Sequence, residues 1–127
     1  MIRLSSEPEV RSMPDSPWKR AMEARISIAH GNLEGMEFDV VADCGGDFYL
    51  LEQGDDLQRV VLYEGGEPID LTDLDSMCYE YVDLSEDEAV FDIYWGTGDE
   101  GGPSFFILNE PWIGESFRRS LLAKSQE

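Results

Sequence analysis

His30 is the only histidine in this chain of 127 residues, so any Ser–His–Asp or Cys–His relay would have to be built on it. It closes an alternating run, Ile26, Ile28, His30, just before Gly31-Asn32, which is the setting of a structural histidine at a strand end. Cys44 and Cys78 stand far apart and neither belongs to a CxxC pair, so they read as two reduced, buried thiols. Carboxylates are plentiful enough for glycosidase-type acid/base chemistry, yet no pair is marked out by its spacing. Gly96-Thr97-Gly98-Asp99-Glu100-Gly101 matches GxGxxG letter for letter. A dinucleotide loop of that kind must open a helix whose amides hold a pyrophosphate. Here Pro103 and Phe105-Phe106-Ile107 follow, and Asp99 and Glu100 would repel phosphate, so the stretch reads as a loop between strands.

Two further patterns fail on their neighbours. Gly45-Gly46-Asp47-Phe48 is similar to the start of the diguanylate-cyclase signature, but Tyr49 follows and the chain is too short for that domain. A calcium loop of the EF-hand kind wants Gly at position 6 and Glu at position 12. Counted from Asp83 those positions hold Glu88 and Tyr94, and counted from Asp73 position 6 is Cys78. The expectation is therefore a protein with no catalytic residues, no metal ligands and no cofactor, beyond weak association of divalent cations with its acids.

The charge distribution is more specific. Residues 26–117 hold twenty-three Asp and Glu against one basic residue, Arg59, a net of −22 within a chain of net −19. Such a block repels itself on compaction and excludes direct binding to nucleic acid. Acidic tails are poor in aromatics, whereas this chain carries three Trp, five Tyr and six Phe, so it reads as folded. Its acids gather at turns: Gly54-Asp55-Asp56, Ser85-Glu86-Asp87-Glu88 and Thr97-Gly98-Asp99-Glu100. If the three turns form one rim, Asp55, Asp56, Glu86, Asp87, Glu88, Asp99 and Glu100 would steer a cationic partner toward it. Tyr94 and Trp95 would supply an aromatic anchor beside them. Neutralising Asp55, Asp56, Glu86, Asp87 and Glu88 should leave the fold intact on that reading.

The elements that position these residues follow from periodicity. Residues 1–15, with Ser5, Ser6, Pro8, Ser12 and Pro14, read as a disordered segment, and residues 16–127 as one domain. Either Met13 or Met22 would serve as a start under that reading. Ser16-Pro17 predicts a helix start, followed by a short helix through Trp18, Ala21, Met22 and Arg25. Alternation then predicts strands at Ile26–His30 and Met36–Val40. Hairpins are expected for Phe48–Glu52 with Arg59–Tyr63 and for Met77–Leu84 with Ala89–Trp95, with a strand at Ser104–Leu108. Leu71–Asp75 reads as one acidic helical turn. A last helix from Asn109 or Glu110 carries the stripe Ile113, Phe117, Leu121, with Arg118, Arg119 and Lys124 toward its C-terminus. The sum is an α+β domain: a twisted antiparallel sheet packed on the C-terminal helix, with a short N-terminal helix joining the same layer. No apolar stretch approaches the ~20 residues of a membrane span and no signal-peptide core is present, which favours a cytoplasmic protein without membrane contact.

The stretch Ala89-Val90-Phe91-Asp92-Ile93-Tyr94-Trp95, the glycine loop after it, Ser104-Phe105-Phe106-Ile107 and Pro111-Trp112 lie in a compact acidic α+β layout spanning about residues 16–124. In that layout the chain resembles the small acidic immunity proteins of bacterial toxin–immunity systems. The resemblance is at the level of class and carries no defining motif, so no family site residues transfer. It implies a non-catalytic inhibitor that neutralises a basic toxin by tight binding in the cytoplasm. A nucleic-acid mimic of phage or mobile-element origin, of the anti-restriction or anti-CRISPR type, is the alternative built on the same charge. An acidic domain of a salt-loving organism and a small enzyme using His30 complete the field.

Overall fold

The computed structural model describes residues 1–32, 37–43, 47–61, 67–74, 80–95 and 103–126. Cys44, Cys78, Asp99 and Glu100 lie outside them. In chain order the elements are β1 (Ile2–Leu4), α1 (Glu7–Arg11), α2 (Pro17–Asn32), β2 (Phe48–Leu51), β3 (Glu80–Leu84), β4 (Val90–Trp95), β5 (Ser104–Leu108), a 3-10 turn (Pro111–Ile113) and α3 (Glu115–Ser125). The five strands form one sheet in the order β1-β2-β5-β4-β3.

The fold is α+β, and its sheet is mixed. Three of the neighbouring pairs are antiparallel, while β2 runs parallel to β5, with Phe48 opposite Ser104 and Leu51 opposite Ile107. The expected β3–β4 hairpin is present, with Asp83 opposite Asp92 and Tyr81 opposite Tyr94. The hairpin expected between Phe48–Glu52 and Arg59–Tyr63 is not formed: β2 takes β1 and β5 as neighbours, and Val60 makes one isolated bridge to Ile69. All four residues of β2 are buried, as are the first four of β5. Strands covered on both faces read as continuous apolar runs, and their partners cannot be told from alternation.

Helices cover both faces of this sheet. On one side Phe48, Leu50, Val90 and Phe106 pack with Leu4, Val10, Met22, Ile26, Ala29, Val40 and Val41. On the other, Tyr49, Leu51, Phe91, Ile93, Phe105 and Ile107 pack with Leu57, Leu71, Leu74, Ile113, Phe117 and Leu121. The N-terminal and C-terminal helices therefore lie on opposite faces, not in one layer. Phe105, Phe106 and Ile107 are buried, as their run implied. The C-terminal stripe is buried too, but the helix is broken. Gly114, at φ +92°, separates the 3-10 turn from α3.

The largest departure is at the N-terminus. Ile26–His30 is not a strand, because α2 continues through it to Asn32. Met22, Ile26 and Ala29 are buried on one helical stripe, while Ile28 of the apparent alternation faces out. The Ser16 hydroxyl accepts the Lys19 backbone N–H at 3.1 Å, which caps the helix where Ser-Pro indicated. The described part of the second expected strand, residues 37–40, is no strand and belongs to a 37–43 turn held by the Asp39 carboxylate, which accepts from Val41 and Ala42 N–H at 2.9 and 2.8 Å. Leu71 and Leu74 are buried in a further turn.

Residues 1–15, whose composition is that of a disordered segment, hold β1 and α1 and put Leu4 and Val10 into the core. Burying each of these contributes about 2 kcal/mol. Deleting residues 1–15 is accordingly expected to lower the melting temperature by roughly 10 °C or more. A thermal melt of the shortened chain that matches the full chain would show the segment to be dispensable.

Candidate functional site

Strand directions decide which loops can act together. Strands β2, β3 and β5 run the same way, so their C-terminal ends meet at one edge of the sheet. Asp55 and Asp56 follow β2, Glu86, Asp87 and Glu88 join β3 to β4, and Glu110 follows β5. The two acidic turns thus share one rim, separated by three strand spacings, or ~14 Å. Asn109 ties β5 to the β3–β4 turn, its N–H donating to Ala89 O at 2.7 Å and its side-chain amide to Glu88 O at 3.1 Å. Trp95 and Ser104, which flank the glycine loop with Asp99 and Glu100, stand at the opposite end of the sheet. The side chain of Trp95 is outside the described set.

The rim acids divide into two kinds. Asp55 accepts the Glu52 N–H at 2.8 Å and pairs with the Met1 amine at 2.8 Å. Burial works to raise its pKa, but these two partners outweigh it and hold the value below the ordinary range. Asp87 accepts the Ser85 hydroxyl at 2.5 Å, the Ala89 N–H at 3.2 Å and Arg20 at 3.2 Å. Its pKa is lowered, chiefly by the Ser85 hydroxyl and then by the Ala89 N–H. Both residues build their turns. Asp56 accepts the N–H of Gln58 at 3.0 Å and is exposed, as are Glu86 and Glu88. Glu88 adopts φ +57°, the position where this kind of hairpin favours Gly.

A groove of about 540 Å³ opens beside this rim, between α2 and the β3–β4 hairpin. It exists because α2 packs over β4 and β5 and leaves edge strand β3 uncovered on that face. Ala21, Ala24, Arg25 and Ile28 form its helical wall, at the spacing of one helix face. The two alanines are too short to close the gap, and Arg25 bridges it. Arg25 Nε donates to Asp92 Oδ2 at 2.7 Å, and its Nη2 donates to Asp83 Oδ2 at 3.1 Å. The Tyr94 hydroxyl donates to the same Asp83 oxygen at 3.0 Å. The Arg25 guanidinium carbon lies 3.4 Å from the centre of the Tyr94 ring, which in turn stacks on Tyr81 at 5.5 Å.

Asp92 is 6% exposed and lines the groove, and its Oδ1 has no hydrogen-bond partner. Burial pushes its carboxyl up to about 6, against the opposing pull of Arg25. For Arg25 itself burial favours the neutral form, yet Asp92 reverses this and the guanidinium stays charged. Attraction wins at the arginine and burial at the aspartate.

The sequence reading missed Arg25, Asp83 and Asp92 as a unit. The signal was there in Asp92, an acid set midway along the otherwise apolar run Val90-Phe91-Asp92-Ile93. His30 lies in the last turn of α2, not at a strand end; its Nε2 is 2.7 Å from Glu7 Oε1 and its ring contacts Phe38 at 4.9 Å. Glu7 also accepts the Val40 N–H, so this cluster fastens α1 and the 37–43 turn to α2. Among the described residues no three His, Cys, Asp or Glu converge as metal ligands, and no helix is long and apolar enough to cross a membrane. No protein-family model, curated protein or solved structure matches the chain.

Because the folded-state value of Asp92 lies above the ordinary 3.8, the folded chain takes up this proton first as pH falls. Wild type should therefore gain on Asp92→Asn by about 2–3 kcal/mol between pH 7.5 and pH 4, in denaturant titrations of both proteins. A pH-independent gap would mean that Asp92 is not buried as a carboxylate. Arg25→Met, which strands the aspartate, is expected to cost about 3 kcal/mol at pH 7.5 and clearly less at pH 4.5, where Asp92 is protonated.

Proposed function

We propose that this protein is a non-catalytic inhibitor that binds and neutralises a basic protein, and that it acts as an immunity protein against a cognate toxin in the cytoplasm. The observation that carries the reading is the convergence of two acidic turns, distant in sequence, on one edge of a sheet packed on both faces. Turns built by their own carboxylates hold the charge in fixed positions, so little conformational entropy is lost when a partner arrives. The uncompensated field speeds encounter with a cationic cleft, such as a nucleic-acid enzyme uses for phosphates. Tyr94, half-buried beneath Arg25, serves in this reading by orienting that arginine more than by direct contact.

A pull-down from lysate at low and high salt, with mass spectrometry of what is retained, identifies the partner. A basic protein held only at low to moderate salt is the expected outcome, and recovery of no basic partner at low salt would overturn the proposal. A nucleic-acid-handling defence complex in place of a toxin would favour the mimic of mobile-element origin.

Asp56, whose hydrogen bond from Gln58 N–H a serine hydroxyl can still accept, and the exposed Glu86 and Glu88 are the acids to remove. Replacing Asp56, Glu86 and Glu88 together by Ser should leave the fold intact and relieve the backbone at Glu88 little. The association rate with the purified partner should fall several-fold at low salt, with the dissociation rate nearly unchanged. An unchanged association rate would remove the rim from the interface. Replacing Asp55 or Asp87 is expected to lower stability, since both accept hydrogen bonds that set the chain path.

A further inference from the structure

We propose that the groove between α2 and the β3–β4 hairpin is a socket for one cationic side chain, a lysine or arginine of the basic partner. The proposal rests on the inhibitor reading and gives it a specific anchor point, distinct from the long-range attraction of the rim.

Four carboxylates line the groove, Asp83, Glu86, Asp87 and Asp92, against two guanidiniums, Arg20 and Arg25. Both guanidiniums are already engaged: Arg20 with Asp15 and Asp87, Arg25 with Asp83 and Asp92. What is left over is negative. Asp92, with its side chain more than nine-tenths buried, keeps Oδ1 without a donor. A buried acceptor of this kind is paired in nearly all proteins, so Asp92 Oδ1 is the atom that a donor entering the groove would satisfy. Asp83 turns a well-exposed carboxyl toward the same space.

The remaining wall suits the stem of such a side chain. Ala21 and Ala24 leave width, and Ile28, 53% exposed, offers an apolar surface for methylene groups beneath a charged tip. The volume of about 540 Å³ falls within the range of ligand clefts, ~300–1,000 Å³. Tyr81, 48% exposed and stacked on Tyr94, stands next to the groove on the edge strand and can receive the partner's neighbouring residue. An anionic group would meet four carboxylates, and a purely apolar one would leave Asp92 Oδ1 unfilled. A second copy of this chain would bring a net charge of −19 against its like.

The test uses the full chain and two small probes, n-butylguanidinium and n-butylammonium, titrated at low salt while amide resonances are followed by NMR. Saturable shifts centred on Arg25, Ile28, Asp83 and Asp92 are expected. Asp92→Asn should weaken binding at least tenfold, and Ala24→Trp, which fills the groove from the exposed side of α2 and leaves Asp92 in place, should abolish it. Asp56→Ser on the rim should change it less than twofold. Tighter binding of the guanidinium marks the socket as one for arginine, and of the ammonium as one for lysine. Shifts that do not saturate, or an affinity that survives Ala24→Trp, would overturn the socket. Since neither probe requires the partner, that result would leave the rim reading standing, whereas a failed pull-down would not.

Discussion

Charge balance is the constraint on which this architecture turns. Residues 26–117, which hold four of the five strands, carry a net of −22 with Arg59 as their one cation, so other cations must come from outside that block. Arg119 of α3 reaches Glu115, and the cations that reach the strands and their turns come from the first twenty-five residues. Arg3 reaches Asp47, Arg20 reaches Asp87, and Arg25 reaches Asp83 and Asp92. A segment that is nearly neutral by itself thereby becomes the internal counterion of the rest. Most of these pairs are exposed and each is weak alone. Their placement matters more than their number: Arg20 and Arg25 join α2 to the β3–β4 hairpin, and Arg3 joins edge strand β1 to the residue before β2.

Arg25 differs from the others in being mostly shielded from water. It holds two acids that face one another across β3 and β4, and which would otherwise repel at close range. Its ring partner Tyr94 and the stacked Tyr81 continue the contact along the same face of the hairpin. The pairing leaves one oxygen of Asp92 empty and the helix held slightly away from the edge strand. The groove is thus a by-product of how the charges were reconciled, and the acid at its base passes between its two protonation states at about pH 6.

Much of the fold was legible from the chain. The β3–β4 hairpin, β5, the capped start of α2 and the stripe Ile113-Phe117-Leu121 all stood out through turn residues or periodicity. Three features did not. Ile26, Ile28 and His30 happened to alternate inside a helix, and only burial shows that Met22, Ile26 and Ala29 form the real stripe. The first fifteen residues look disordered by composition because two apolar residues, Leu4 and Val10, suffice when charged contacts share the task. The parallel β2–β5 pair lies beyond local pattern altogether, since both strands are buried on both faces. For the candidate site, the acidic turns were legible but their grouping was not. That depends on strand direction, which places two of the three turns at one end of the sheet.

The position of β5 has a consequence for how the chain comes to be folded. It is the last strand made and the middle strand of the sheet, between β2 and β4. Until residues 104–108 leave the ribosome, β1–β2 and β3–β4 are two separate ribbons with nothing between them. Their apolar faces stay open until β5 arrives, and the β2–β5 pairing joins segments distant in sequence, a kind of contact that forms slowly. During that interval the strong like charge of the unfinished chain keeps neighbouring nascent chains apart. The same acids that burden the folded state then act as its protection against aggregation before the sheet can close.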